Sequence, residues 1–452
     1  MVLPIAPTNS ISFSQIQAEF GGTNPISLSE YFGNATTGYT TGIDGIPNST
    51  TSISLSQFSG KTKISNKIYS VYCCGEGTYG QLGQNNTTQL NTPVLIQYFV
   101  TNNIIITKIV CSYRFTIFLD STGKVYSCGI NNFGQLGQNN TTQLNVPTLI
   151  QYFVTNNIII TNIWCGAYHS IFIDSTGKLY SCGYNVWGQL GHSHINNVYI
   201  PTLIQYFVTN NITIKYVSGG EIHTMFLDST DKIYSCGHNS KGQLGQNNTT
   251  SLSTPTRIEY FVTNNIIITN IACGFYHTIF LDSTGKVYSC GEGTYGQLGQ
   301  NNTTTFLVPT RIEYFVTNNN IITNISCGFR YTMFLDSTGK VYGSGINGSG
   351  QLGQNNRTAQ YNAPILIQYF VNNNIIIKNL VAGYIHVLFL DSNNKVYSGG
   401  QPAWGQLGLG TAIITQQQNI PTIIPFFNTN NYLKIENIYS NGSFASMFLC
   451  YE

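Results

Sequence analysis

The chain has 452 residues, of which 42% are apolar, 13% aromatic and only 8% charged, with a formal net charge of +2. That charge content lies far below the roughly 25% usual in soluble domains, so Asn, Thr, Ser, Gln and Tyr must cover much of the surface. Lys and Arg recur singly rather than in a basic patch, which argues against direct nucleic-acid binding, and neither a membrane-spanning apolar run nor a secretory leader is indicated.

Residues 1–60 are rich in Ser, Thr, Gly and Asn, and the pattern Ile-Ser-x-Ser-Gln/Glu begins at Ile11, Ile26 and Ile53. Ser12 with Gln15, Ser27 with Glu30 and Ser54 with Gln57 have the capping-box spacing, in which a serine hydroxyl and a side chain three residues on satisfy the free amides of a helix start. Three short helices are expected, the first stopped by Gly21 and Gly22. Helices this short are unstable alone. Phe13, Ile16, Phe20, Leu28, Tyr31 and Phe32 are therefore expected to pack on a partner; the alternative is a weakly ordered leader. The stretch Ile11–Phe32, ISFSQIQAEFGGTNPISLSEYF, resembles a segment near the start of structural and fibre-type proteins of phages and large DNA viruses. That resemblance implies an arm docking on capsid or fibre proteins of a virion; without it, the host cytoplasm is the expected location.

From there on the chain is periodic. Gly-Gln-Leu-Gly begins at Gly80, Gly134, Gly188, Gly242, Gly296, Gly350 and Gly405, a spacing of 54 residues five times and 55 once. A period of this length sustained to the end of the sequence marks an array of one supersecondary unit. The unit is clearest after Pro147: the runs Leu149–Val154, Ile158–Ile163, His169–Ile173 and Leu179–Cys182 are separated by Asn, Gly, Asp and Ser turns. Short β-branched and aromatic runs bounded by such turns are strands, four to a unit, as in a propeller blade. The shortness of the runs and the absence of a 3.6 period exclude a helical solenoid.

Cys273-Gly274, His277-Thr278, Gly285-Lys286-Val287-Tyr288, Cys290-Gly291 and Gly296–Gly299 together resemble the repeat of the regulator of chromosome condensation family, in seven copies. The resemblance implies an all-β, seven-bladed β-propeller over residues 61–452. The ends of the array argue separately for closure. The first unit enters at Lys67–Tyr72 without a preceding middle strand, and the chain ends on a middle strand, Ser446–Leu449, with no partner after it. Joining the two in one blade closes the ring and removes two exposed edges.

The candidate chemical residues are judged by whether the repeat tolerates replacing them. Nine of the eleven cysteines fall at two repeat phases where other copies carry Gly219, Ala382, Ser344 or Gly399, which reads as small buried sites rather than ligands or disulfides. His169, His223, His277 and His386 share a phase with Phe115 and Tyr331, so packing is expected of them rather than catalysis or metal binding. Asp120, Asp174, Asp228, Asp282, Asp336 and Asp391 open hairpins whose turns they can cap. The Gly80 phase and its six equivalents suit positive-φ turns and close blade contacts, with the intervening Leu packed inside.

Partner recognition is expected where the repeat is broken: at His192–Tyr199, including His192, His194 and Tyr199, at Arg357–Asn362 and at Leu409–Asn419. His192 and His194 alone are too few to hold a metal. No catalytic residue, cofactor or metal is expected, and Trp164, Trp187 and Trp404 form no repeated cluster of the sort used for light sensing in a plant relative. The expected function is a non-enzymatic interaction scaffold on a virion. The alternative implied by the family resemblance is a guanine-nucleotide exchange factor for a small GTPase.

Overall fold

The computed structural model describes residues 67, 69–411, 418–430, 432–440 and 442–452. The expected helices of the arm, with Phe13, Ile16, Phe20, Leu28, Tyr31 and Phe32, lie outside these residues, as does most of the loop 409–419. No described helix is long and apolar enough to cross a membrane.

Each repeat folds into a four-stranded antiparallel sheet, for example Ile106–Cys111, Phe115–Asp120, Val125–Gly129 and Leu144–Leu149, and seven such sheets make an all-β, seven-bladed propeller. Six blades are continuous in sequence. The seventh combines Leu90–Leu95 and Tyr69–Gly75 with Ala445–Tyr451 and Lys434–Tyr439, in that order. Its joint is a full ladder, from Tyr69 opposite Tyr451 to Gly75 opposite Ala445. A second contact seals the ring, because Gly405 of the last repeat abuts Leu90 of the first: a Cβ there would lie 2.4 Å from the Leu90 carbonyl oxygen, so only glycine fits.

One expected strand is different. The run Leu149–Val154 is not a strand: the outer strand is Leu144–Leu149, and Gln151–Thr155 forms a single helical turn that recurs in every connection. Ile150 and Phe153, three residues apart, are both buried, a spacing that one helical turn satisfies and a strand does not. Pro147 falls in the outer edge strand, where a missing N–H costs no ladder bond. The Phe of each turn packs on the second strand, Phe153 with Phe172 at 5.0 Å and Phe261 with Phe280 at 4.9 Å.

The Cys-Gly-x-x-His phase is a joint between blades. Thr224 Oγ donates to the Gln189 carbonyl at 2.8 Å, so its remaining capacity is to accept, and His169 Nε2 donates to it at 2.8 Å across the blade boundary. The same chain runs through His223 and Thr278, His277 and Thr332, and His386 and Ser446, each at 3.0 Å. Burial pushes all four imidazoles down to about 3, so they are neutral. The ring needs the preceding glycine, since a Cβ on Gly274 would lie 2.0 Å from His277 Cε1. All eleven cysteines are buried free thiols. Asp120 Oδ1 accepts from the Thr122 N–H and hydroxyl and the Lys124 N–H at 2.8–2.9 Å, capping its hairpin.

This topology gives the ring two unlike ends. Loops joining first to second and third to fourth strands lie at one end; the Asp-capped hairpins and helical turns lie at the other.

Candidate interaction face

The loop end carries most of the chain's unusual chemistry. Its inner loops contribute Tyr113, Tyr168, Phe275, Tyr276, Phe329, Tyr384 and Phe444, and its outer turns contribute Tyr79, Phe133, Trp187, Tyr295 and Trp404 just before Gly-Gln-Leu-Gly. The inner rings meet across the axis. Tyr113 lies 5.5 Å from Tyr384, 5.3 Å from Phe444 and 6.4 Å from Phe275, while Phe329 stacks on Tyr384 at 4.6 Å. Residues from blades far apart in the ring thus form one aromatic plug over the channel. Trp404 extends it at 4.5 Å from Phe444, and Trp187, 41% exposed, rests on His238 at 4.5 Å.

Two charged clusters flank the plug. Arg114 stacks over Tyr79 at 4.4 Å and Tyr113 at 4.8 Å, and its Nε lies 3.7 Å from the buried Glu76 Oε2. Arg330 repeats the arrangement with Tyr295 at 4.2 Å, Phe329 at 4.6 Å and Glu292 Oε2 at 3.8 Å. Among the described residues neither Arg Nε has a hydrogen-bond partner, and neither does Glu76 Oε2 or Glu221 Oε2. Burial raises the Glu76 carboxyl against the opposing pull of Arg114, and raises Glu221, which bonds Tyr276. Polar groups left half-satisfied beside packed aromatics are suited to finding their remaining partners in another molecule.

The repeat-breaking stretch His192–Tyr199 lies at the margin of this end. His192 is half-buried with Nε2 3.0 Å from Ser181 Oγ, the place that Gln138 takes on Ser127 in the preceding blade. Burial and the neighbouring His194 push His192 down to about 4. His194 stacks on it at 5.6 Å and its Nδ1 accepts from the Asn196 N–H at 3.2 Å. Tyr199, 41% exposed, lies against Gly134 of the adjacent blade. Among the described residues no group of three or more His, Cys, Asp or Glu is placed to hold a metal. The seven repeat glycines at the Gly80 phase all adopt positive φ, from 75° to 83°, and Leu82 and its equivalents are buried.

Arg114, Arg330, Glu76, Glu292 and the plug were not singled out from the sequence, yet a signal exists. Phe115 and Tyr331, two of the three departures from histidine at their phase, each follow one of these arginines. Glu-Gly-Thr-Tyr precedes Gly-Gln-Leu-Gly in just the two blades that pair with them, at Glu76–Tyr79 and Glu292–Tyr295.

The fold and face define a seven-bladed propeller with an inter-blade histidine phase and an aromatic, arginine-bearing end. The chain belongs to the RCC1-like family: the RCC1-like domain matches residues 64–318, and the regulator of chromosome condensation (RCC1) repeat matches residues 322–351 and 338–390. It is 32% identical over 351 residues to the ultraviolet-B receptor UVR8 of Arabidopsis thaliana, covering 77% of this chain and 76% of that one. It is 31% identical over 336 residues to the probable E3 ubiquitin-protein ligase HERC4 of Rattus norvegicus, covering 62% of this chain and 31% of the ligase. Among solved structures, Prp20p from Saccharomyces cerevisiae superposes with a TM-score of 0.74 at 21% identity, covering 85% of this chain and 92% of that one.

Proposed function

We propose that this chain is a non-enzymatic interaction scaffold that recognises a protein partner through the aromatic end of the propeller, while residues 1–60 anchor it to a larger assembly. The observation carrying the reading is the pair of Arg–Tyr–Glu clusters around the plug. Aromatic residues and Arg are enriched where partners bind, and partly desolvated Arg stacked on aromatic rings makes strong anchors. The matched portion of UVR8, named a receptor, and the match to Prp20p, described with binding properties to Gsp1p and histones, support a propeller used for binding. For the assembly, the viral resemblance of Ile11–Phe32 supports a virion of a large DNA virus, with capsid or fibre proteins as the arm's partners.

The test is affinity capture with three forms: the full chain, one lacking residues 1–60, and the Arg114→Ala/Arg330→Ala double variant. Particle proteins recovered only when the arm is present, together with a second partner lost from the double variant, support the reading. Exchange is the second reading, supported by the Prp20p match. It takes over if a small GTPase is captured with or without the arm and its bound nucleotide is released faster in the presence of the propeller.

A further inference from the structure

The opposite end of the channel has a different character. Lys108, Asn162, Tyr216, Asn270, Asn324 and Asn379, each third in its inner strand, and Asn437, fourth in Lys434–Tyr439, form a collar, of which Lys108, Tyr216, Asn270 and Asn324 line the channel. Five of the seven are Asn, linked in part by Asn324 Nδ2 to Asn379 Oδ1 at 3.1 Å and Asn379 Nδ2 to Asn437 Oδ1 at 2.8 Å. The symmetry breaks on one side only. There Lys108 Nζ donates to Asn162 Oδ1 and lies 4.7 Å from the ring centroid of Trp164, which meets Tyr216 edge-on at 6.1 Å. Behind the collar lies a cavity of about 230 Å³ whose walls include Trp164, Ala272 and Val381. Among the described residues Lys108 is the only charged side chain in its lining.

We propose that this cavity binds a small aromatic carboxylate, with its carboxylate on Lys108 Nζ and the collar amides and its ring against Trp164. An apolar cavity of about 150 Å³ accommodates benzene, so this one has room for a ring and one polar substituent. A lone ammonium with low-dielectric walls attracts an anion and gains from pairing with one. The charge available is single, which suits a monoanion. Asn162, beside the ammonium, and Asn270, in the lining three blades on, spend Oδ1 on the N–H groups of Ile163 and Ile271 at 3.0 and 2.8 Å, and among the described residues their Nδ2 groups have no acceptor, leaving them as donors. Burial pushes Lys108 down to about 8. The other titratable groups lining the cavity are the Cys111, Cys165 and Cys327 thiols and the Tyr216 and Tyr439 phenols, and burial pushes both phenols up, Tyr439 to about 12. Carboxylate binding is therefore expected to weaken as pH rises through about 8, where the free site loses its charge.

The experiment titrates the full chain with benzoate, benzamide and acetate by calorimetry and by tryptophan fluorescence. Alongside the wild type go Lys108→Asn, which makes the collar match its other Asn positions, and Trp164→Ala, the residue found at Ala272. Expected are saturable benzoate binding with a fluorescence change, at least about tenfold weaker binding of benzamide and acetate, and a similar loss in each variant, at unchanged melting temperature for Lys108→Asn and a lowered one for Trp164→Ala, whose side chain is buried. The benzoate–benzamide contrast in the wild type stands even if a variant folds poorly. The proposal is overturned if benzoate fails to saturate the wild type by about 10 mM, if benzamide or acetate binds as well, or if a folded Lys108→Asn chain binds benzoate undiminished.

Discussion

Removing residues 435–452 deletes both C-terminal strands of the shared blade. Ile435, Ile438, Phe444, Met447, Phe448 and Leu449 are all 5% exposed or less. At roughly 1.5–3 kcal/mol for each fully buried side chain, their loss amounts to about 9–18 kcal/mol as an upper bound. A whole domain is stable by only about 5–15 kcal/mol. The truncation also unpairs the whole of Tyr69–Gly75 and removes the Ser446 hydroxyl that joins His386 to the Gln406 carbonyl. The expected product lacks a cooperative melt and associates through the freed edge. Phe448→Ala is the graded control: packed 4.7 Å from Phe427, it should cost about 3–5 kcal/mol and leave a soluble monomer with a lower urea midpoint. Circular dichroism during urea unfolding, with size-exclusion chromatography, reads both. A monomeric truncation unfolding cooperatively at the wild-type midpoint refutes the closure argument.

The histidine joints make stability depend on acid. The folded pKa of His169, His223, His277 and His386 is about 3, below the unfolded value of about 6.5, so the unfolded chain binds more protons in between. Their effect is nil above about pH 6.5 and grows as pH falls toward 3, at up to about 1.4 kcal/mol per pH unit for each; a urea midpoint unchanged from pH 7 to pH 5 contradicts it. Gly274→Ala forces a Cβ into the His277 ring and should cost about 1–3 kcal/mol. Adding His277→Phe, after the natural pair Ser112 and Phe115, should recover about 1 kcal/mol in a double-mutant cycle, and strict additivity counts against the steric account. Arg114→Ala removes two ring contacts and should cost about 1 kcal/mol of stability; a loss several times larger in thermal melts would make Arg114 a core residue rather than part of a binding face.

The architecture was legible because each blade repeats the same local instructions. Val-Tyr-Ser-Cys-Gly and His-Thr-Ile-Phe-Leu-Asp, with their variants in the other copies, read as strands, and the unmatched ends at Tyr69 and Ser446 called for each other. The helical turn at Gln151–Thr155 was misread because Tyr-Phe-Val has high strand preference, and tertiary burial of Phe153 decided the outcome. The glycine of Cys-Gly is a side-chain requirement, set by an imidazole three residues later. Such a constraint is local in sequence but becomes visible only when the ring's direction is known.

The binding chemistry was harder to see for a geometric reason. In a closed ring, residues at one repeat phase converge on the axis, so Tyr113, Phe275, Phe329 and Tyr384 become neighbours although they lie in different blades. Sequence comparison of repeats treats each of them as an isolated variation. The ring turns such variations into a composite surface, and one substitution at the axis faces several blades at once. The same convergence leaves Lys108 alone in a collar of Asn and Tyr, the one charged side chain among the described residues that line the cavity. Function in a propeller this regular is therefore to be sought at axis-facing phases where one copy departs from the rest.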